Sequence, residues 1–329
     1  MSLDDNLDFR ELGRGRSGVV YRDQDTYGKS IARKIFTGDD ITKLAHYIFS
    51  GAPNPYIWNE EAILTAHYRR EVLTDLVEYW FGPKLRVAPS LGIQWNDEFQ
   101  AYELQTEFIK GRPAALHHPF SGEREGELDD LVNGVMKPLQ EKLIESGFDG
   151  LVWQAGKGNP VASNNFLLED TGKNQNTWAW IDLESGVPMP APLNPIPFFT
   201  FYLPKSIKHR HALFDDVDVD KLHAYVDVHQ DDLMNKLGDD KYLILIENIH
   251  NLENHQRKWK SMRRVDRSIT YQLKKGGITP AQAAWFSQHP SMWYGREIGR
   301  GAWKSYNNYY WAIYLGRYFV GQWKLTIEN

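Results

Sequence analysis

Length, composition and charge limit what this chain can be before any motif is considered. Its 329 residues are 42% hydrophobic and 13% aromatic, which excludes overall disorder and predicts one large or two medium-sized globular domains. Because the chain has no cysteine, disulfides and thiolate metal sites are excluded, and a cytoplasmic location is the default. The acidic N-terminus and the lack of an apolar run of about 18 residues predict no signal peptide and no membrane span.

The net charge of −5 is distributed unevenly along the chain. Residues 251–329 contain 13 Lys and Arg against 4 Asp and Glu, so the first 250 residues sum to −14. Such an asymmetry predicts that the two ends of the chain face different partners, or each other.

The N-terminal half has the pattern of a strand-rich domain with one long helix. Period-two alternation and turn residues indicate strands, and apolar residues at helical spacing indicate the helix. In chain order, the pattern predicts a strand entering a glycine-rich turn at 8–20, a hairpin from Val19–Tyr21 to Ser30–Phe36, a helix over Asn59–Trp80, and strands at Ala88–Trp95 and Gln100–Phe108.

The C-terminal half has the pattern of a mainly helical domain. A helix over Glu123–Ser146 is followed by a loop, and short strands are predicted at Phe166–Glu169 and Trp178–Ile181. The chain is proline-rich over 188–204, and its pattern predicts mostly helix from about residue 218 onward.

A glycine-rich turn, Gly13-x-Gly15-x-x-Gly18, connects the first two strands. The same spacing opens a helix in dinucleotide-binding folds, but here a second strand follows it. Lys34 stands on the next strand, 16 residues after Gly18. This arrangement predicts a strand pair that covers a nucleotide and a lysine that reaches its phosphates.

Two further polar residues follow apolar or loop segments in the second half. Asn165 ends the loop before the strand Phe166–Glu169, and Asp182 follows the apolar strand Trp178–Ile181. An Asp at a strand end is often a simple turn residue. In order along one chain, however, the glycine turn, Lys34, Glu71 on the long helix, Asn165 and Asp182 form a series that is typical of ATP and Mg²⁺ binding.

This series resembles the protein-kinase-like superfamily over roughly residues 8–190, and the divergent bacterial members most. The resemblance implies an α+β, two-lobed fold with an antiparallel sheet and one helix in the N-terminal lobe, residues 1–109. The C-terminal lobe, residues 110–329, would be mainly helical with a helical extension from about residue 216.

The resemblance also implies roles for individual residues. Lys34 would bind the α- and β-phosphates and would be oriented by a helix glutamate, for which Glu71 is chosen over Glu60, Glu61 and Glu78. Asn165 and Asp182 would hold Mg²⁺. The residues expected around the nucleotide are Gly13, Gly15, Gly18, Val20, Ala32, Lys34, Thr106, Glu107 and Ile109.

The catalytic loop departs from the family pattern. Gln154, or Ala155, stands where the family has the aspartate that accepts the substrate's proton, and the loop to Asn165 is longer than usual. Glutamine cannot take a proton near neutral pH, although it can orient a hydroxyl. Lys157 is a candidate for stabilising the γ-phosphate and Asp149 for the base, and both also suit a loop surface.

The sequence therefore predicts an atypical phosphotransferase that uses ATP and Mg²⁺, with Lys34, Glu71, Gln154, Lys157 and Asp182 as its catalytic set. Phosphoryl transfer needs positioning and charge neutralisation more than a strong base. The hydroxyl acceptor is open among a sugar, a lipid headgroup, a small molecule and a protein. The alternatives are a pseudokinase that acts as a nucleotide-binding scaffold, and an enzyme that transfers a nucleotidyl group.

The C-terminal region combines basic and aromatic residues. This composition suits nucleic acid, a glycolipid headgroup, a protein partner or the inner membrane surface. The alternatives are core packing and pairing with the acidic part of the chain. The residues concerned are Arg257, Lys258, Lys260, Arg263, Arg264 and Arg267, followed by Trp285, Trp293, Tyr294, Trp303, Tyr309, Tyr310, Trp311, Tyr314 and Trp323.

Overall fold

A computed structural model describes residues 10–15, 17–38, 42–43, 46–47, 50–114, 126–159, 161–169, 177–184, 195–209, 214–303, 305–307 and 309. The chain divides into two compact units, residues 1–262 and 263–329. The boundary predicted at residues 109/110 separates two lobes inside the first unit, and it stays a prediction.

Nine strands are described, and all belong to the first unit. They are β1 (Arg10–Arg14), β2 (Gly18–Gln24), β3 (Ser30–Phe36), β4 (Leu85–Val87), β5 (Ser90–Asn96), β6 (Ala101–Glu107), β7 (Gly111–Arg112), β8 (Phe166–Glu169) and β9 (Trp178–Trp180). They form a five-stranded sheet of order β1-β2-β3-β6-β5 and a four-stranded sheet of order β4-β9-β8-β7.

The helices dominate the rest of the described chain. They are α1 (Pro55–Trp58), α2 (Glu60–Phe81), α3 (Glu127–Leu131), α4 (Lys137–Glu145), α5 (Pro195–Pro197), α6 (Leu203–His209), α7 (Val219–Val228), α8 (Gln230–Leu237), α9 (Asp239–Ser261), α10 (Arg264–Lys274) and α11 (Pro280–Gln288). A further helix covers residues 290–303. The predicted α+β class is confirmed.

The five-stranded sheet is antiparallel throughout, and its register decides which residues share a face. Lys34 pairs with Val20 on β2 and with Leu104 on β6, and Ala32 pairs with Thr106. Because side chains alternate along a strand and paired residues point to the same side, these five side chains project from one face of the sheet.

The long helix α2 packs along the sheet and connects it to the helical lobe. Asn59 caps its N-terminus, because the Asn59 side chain accepts a hydrogen bond from the backbone N–H of Ala62. Gly82, where φ is +55°, caps its C-terminus. Its inner face, which includes Val72, Leu76 and Val77, is fully buried. The helix predicted over Asn59–Trp80 is confirmed.

The four-stranded sheet belongs to the core of the helical lobe. The inner strand β9 contains Trp178 and Trp180, which are fully buried among apolar side chains of the surrounding helices. Phe166 stacks on Trp180. The Trp178 indole N–H donates to Asp130 Oδ2 at 2.8 Å. The sequence pattern predicted β8 and β9 but not their short partners β4 and β7.

The helical prediction for the C-terminal half is confirmed, with two differences. The segment predicted as one helix over Glu123–Ser146 contains a π-helical turn at Val132–Met136 between α3 and α4. The proline-rich segment also contains α5, α6 and an intervening π-helical turn at Phe198–Tyr202. In the part of the chain described here, no helix combines the length and apolarity that a bilayer crossing requires.

Residues 263–329 have a small core of their own. Val265, Ile269 and Trp293 are buried together there, and α11 begins with a capping box between Thr279 and Gln282. Trp303 and Tyr309 are largely exposed. Tyr310, Trp311, Tyr314 and Trp323, which the sequence placed in the same aromatic set, lie outside the described residues.

The basic residues at the end of α9 pair with carboxylates of the first unit. Lys260 contacts Asp216, and Lys258 Nζ lies 3.4 Å from Glu61 Oε1. This arrangement agrees with the alternative in which part of the basic region neutralises the acidic part of the chain.

Candidate nucleotide-binding cleft

A cleft of about 790 Å³ lies between the five-stranded sheet and the loops of the helical lobe. Its lining combines apolar side chains at the sheet with polar groups at the helical lobe, as small-molecule sites generally do. Eleven residues predicted from the sequence line it, namely Gly13, Gly15, Val20, Ala32, Lys34, Thr106, Glu107, Ile109, Gln154, Asn165 and Asp182. Gly18, Glu71 and Lys157 do not.

The three glycines of the first turn occupy different surroundings, so the structure requires glycine at only some of these positions. A Cβ at Gly18 would lie 2.1 Å from the carbonyl oxygen of Ile35, so only glycine lets β2 approach β3 this closely. A Cβ at Gly13 or Gly15 would meet no atom within 4 Å. These two glycines therefore leave open space at the cleft, whereas Gly18 is required by strand pairing.

Lys34 meets two acidic residues that follow β9. Its Nζ donates to Asp182 Oδ1 at 2.6 Å and to the backbone oxygen of Glu184 at 3.0 Å, and it lies 3.8 Å from Glu184 Oε2. Sheet and helical lobe thus bring together two residues that are 148 positions apart in the sequence. Two residues that the sequence singled out for the site, Lys34 and Asp182, are therefore in direct contact.

The structure does not place Glu71 at Lys34. The Glu71 carboxylate accepts the backbone N–H of Ser90 at 3.0 Å, and burial raises its pKa above the usual range. Its rivals are also engaged elsewhere, because Glu60 contacts Tyr102, Glu61 contacts His255 and Glu78 contacts Lys241. Within the described chain, no glutamate of α2 contacts Lys34.

Arg70, not Glu71, projects from α2 toward the cleft. Successive helix residues are rotated by 100°, and Arg70 shares a face with the buried Ala66, Leu73 and Val77. Its guanidinium donates to the Glu184 carboxylate at 2.8 and 3.1 Å and to the backbone oxygen of Ala88 at 2.9 Å.

Glu184 is therefore the shared counter-ion of two cations. Its side chain is fully buried, and that of Arg70 is 1% exposed. Burial alone would raise the pKa of Glu184, but the charges of Arg70 and Lys34 hold this pKa below its usual range. Compared with the family pattern, the charges are exchanged, since the helix contributes a cation and the segment after β9 contributes the glutamate that Lys34 faces.

The sequence contains a signal for this exchange. Arg70 falls on the apolar face of α2 at helical spacing, where an unpaired charge is costly, and Glu184 occupies the position of the glycine in the family's Asp-Phe-Gly motif. A cation on a buried helix face and a carboxylate in that motif each indicate a charge that needs a partner, although the sequence does not say which residue that partner is.

The second predicted metal-holding residue lies beside Asp182. Asn165 Nδ2 donates to the backbone oxygen of Gln154 at 2.9 Å, and the Ile181 N–H donates to the backbone oxygen of Asn165 at 2.9 Å. The loop is thereby tied to the end of β9, so Asn165, Gln154 and Asp182 share the same end of the cleft. The structure therefore brings these three predicted residues together.

Lys157 and Asp149 do not reach the cleft. The Tyr202 hydroxyl donates to the backbone oxygen of Lys157 at 2.6 Å, and the Lys157 ammonium lies 5.1 Å from the centre of the Phe201 ring. Asp149 is fully buried and accepts from Lys205 Nζ at 2.6 Å. These contacts, with Tyr202 and Phe201 for Lys157 and with Lys205 for Asp149, hold both residues outside the lining of the cleft.

Apolar side chains also line the cleft. Leu104, Ala88 and Leu167 line it together with Thr106 and Ile109.

Glu107, one of the residues expected around the nucleotide, has both its backbone N–H and its carboxylate engaged by other residues. The N–H of Glu107 donates to the Pro89 oxygen at 3.1 Å, and the Glu107 carboxylate accepts from Arg86 at 2.7 Å. The backbone of Phe108 and Ile109 lines the cleft next to it.

Comparison with known proteins gives structural neighbours alone. No family model matches the chain, and no curated protein matches it. Solved kinase and pseudokinase structures do match. The antiparallel sheet of order β1-β2-β3-β6-β5, the long helix α2 and the mainly helical second lobe form the two-lobed α+β arrangement that the resemblance to the protein-kinase-like superfamily predicted.

Three of these neighbours illustrate the level of similarity. The drought responsive inactive kinase 1, a pseudokinase bound to ENMD-2076, is 12% identical and has a TM-score of 0.31 over 82% of this chain and 92% of its own. Maize sucrose-induced receptor kinase 1 bound to AMP-PNP is 11% identical with a TM-score of 0.32 over 84% and 88%. PpkA-294 in its apo form is 15% identical with a TM-score of 0.27 over 54% of this chain, which spans 57% of its length.

Proposed function

We propose that the cleft binds ATP with Mg²⁺ and that the chain is an atypical kinase-like phosphotransferase acting on a hydroxyl acceptor. The observation that carries this proposal is the meeting of Lys34 and Asp182 at 2.6 Å inside the cleft, beside Asn165. An ammonium suits nucleotide phosphates, and carboxylate and amide oxygens are ligands that Mg²⁺ prefers.

The residues present fit a magnesium ion. Asp182 Oδ1 is held by Lys34, while the Asp182 side chain remains 37% exposed at the cleft. The Asn165 amide donates its N–H to Gln154, which leaves its oxygen as the free side of the amide. When bound, the ion would neutralise charge on the phosphate oxygens during transfer.

The other residues of the cleft would position the reactants. Glu184 holds Lys34 against the end of β9, and Arg70 keeps Glu184 in place. Gln154 would orient the acceptor hydroxyl without taking its proton. A loose transition state gains most from positioning and charge neutralisation, so transfer without a base at this position is slow but feasible.

A pseudokinase is the second candidate, and one observation favours it. Gln154 lines the cleft where the resemblance places the family's base, and neither Asp149, the candidate to replace that base, nor Lys157, the candidate to stabilise the γ-phosphate, reaches the cleft. In that case the cleft would hold a nucleotide without turnover, and the helices would serve a partner.

The test is ATP binding with and without Mg²⁺ by calorimetry, followed by assays for ADP and for pyrophosphate in the same samples. We expect Asp182→Ala to weaken the Mg²⁺-dependent affinity about tenfold or more, and the exposed control Glu98→Ala to leave it unchanged. ADP formation supports phosphoryl transfer, pyrophosphate supports nucleotidyl transfer, and binding without either product supports the pseudokinase. No binding by the wild type refutes the nucleotide site.

A further inference from the structure

A cluster of two histidines and one glutamate lies in the helical lobe, outside the cleft. His223 belongs to α7, and His250 and Glu253 belong to α9. Each of the three offers one ligand atom, and these atoms lie within 4.8 Å of one another. His223 Nε2 and Glu253 Oε2 are 3.2 Å apart. The cluster is unrelated to the residues that line the cleft.

The buried residues next to this cluster fix its geometry. His223 follows Leu222, and His250 follows Ile249, and both apolar side chains are fully buried in the core of the first unit. His250 and Glu253 are three positions apart on one helix, so they share a face. The two imidazole rings are 5.5 Å apart between centroids. The donor atoms therefore stand on two helices whose separation is set by packing.

The donor set has the chemistry of a transition-metal site. Two imidazoles and one carboxylate are ligands that Zn²⁺ accepts, with bonds of about 2.0–2.2 Å and a water molecule in the fourth position. Ligand atoms on a tetrahedral zinc ion lie about 3.4 Å apart, which follows from those bond lengths. His250 is exposed and the other two are half-buried, so side-chain rotation can close the remaining gap and an ion can enter from solvent.

We propose that His223, His250 and Glu253 bind one divalent transition-metal ion that links α7 to α9. The carboxylate oxygen of Glu253 that faces His223 is Oε2, and this oxygen would bind the ion. Arg257 Nη1 lies 3.6 Å from the other oxygen, Oε1. The Arg257 side chain is 69% exposed, and such ion pairs are weak enough for a metal to displace. The cleft offers oxygen donors to a hard cation, so the two sites differ in the metal they prefer.

The test is a Zn²⁺ titration of the full chain by calorimetry, together with thermal unfolding with and without Zn²⁺. His250→Ala removes a ligand at an exposed position without disturbing the core. His289→Ala removes a second exposed histidine, in the other unit, and is the matched control. Asp182→Ala reports any zinc that binds in the cleft.

We expect one Zn²⁺ to bind the wild type, His289→Ala and Asp182→Ala with affinities within about twofold of one another. His250→Ala should weaken that affinity about tenfold or more and should lose the rise in melting temperature that Zn²⁺ gives the wild type. The proposal is overturned if the wild type binds no Zn²⁺, or if His250→Ala binds it as tightly as the control. Loss of binding in Asp182→Ala would assign the ion to the cleft instead.

Discussion

Two buried charges in the cleft wall, Arg70 and Glu184, distinguish this site from the family pattern. Lys34 faces a glutamate as the pattern requires, but the glutamate comes from the segment after β9 and is held by a cation of α2. A buried ion pair is costly to break, because removal of one partner leaves the other as an uncompensated charge. Fold and site therefore depend on the same two residues.

Glu184→Gln should lower the free energy of unfolding by about 3–5 kcal/mol, since it leaves Arg70 buried without a counter-charge. Urea denaturation at neutral pH measures this loss. Glu78→Gln is the matched control on the surface, where the ion pair with Lys241 is half-exposed and contributes about 1 kcal/mol or less. Equal small effects of the two substitutions would show that Glu184 carries no such structural charge.

At the scale of elements, the glycines around the turn between β1 and β2 have different roles. Gly18 is required for the pairing of β2 with β3, whereas Gly13 and Gly15 border the cleft. Gly18→Ala should destabilise the protein by about 1–3 kcal/mol, because its Cβ would meet a backbone oxygen of β3 that cannot move independently. Gly15→Ala should change stability by about 0.5 kcal/mol or less, since its Cβ meets open space.

Thermal unfolding of both glycine variants measures the difference, and ATP titration then shows which change affects the cleft. An equally stable Gly18→Ala protein would contradict the close approach of β2 to β3.

The carboxylate of Asp75, on the long helix α2, is partly buried. Among the described residues, no hydrogen bond compensates for this burial. Burial, then the nearby Glu71 and Glu78, raise the pKa of Asp75 to about 6, and Lys241 opposes this shift. The pKa of Asp75 in the folded protein is thus above its unfolded value of about 3.9, so folding takes up a proton between these two values. The free energy of unfolding therefore falls as the pH rises from about 4 to about 6.

Asp75→Asn should therefore raise the free energy of unfolding at pH 7 by on the order of 1 kcal/mol, a value reduced by partial solvent screening. It should also flatten the dependence of stability on pH between about 4 and 6. Urea denaturation across this pH range, with Glu98→Gln as an exposed control, measures both effects. A variant that is less stable than the wild type at pH 7 would contradict the burial of a charged Asp75.

At the scale of the whole molecule, the chain consists of two units with separate cores. Trp293 is 1% exposed within residues 263–329, and every residue that lines the cleft lies in the first unit. Trp293→Ala should cost its unit about 3–5 kcal/mol. Hydrogen exchange should accelerate in α10 and α11 and stay unchanged in β8 and β9. Faster exchange that extends to these strands would show that the two units unfold together.

The sequence by itself determined most of the elements, and most of the residues that it singled out for the site line the cleft. Strand alternation and helical spacing are local properties, so the hairpin, α2, β8 and β9 could be predicted, and ordered motifs identified Lys34, Asn165 and Asp182. The short strands β4 and β7 could not, because their pairing partners lie far away in the sequence.

Only the tertiary structure decided which charges meet. Glu71 and Arg70 are neighbours in sequence, and one step of 100° directs the first to Ser90 and the second to the cleft. The carboxylate that Arg70 meets stands 114 positions later. The long-range packing of α2 against the end of β9 created this pair, because a buried charge folds stably only where the packing supplies its partner.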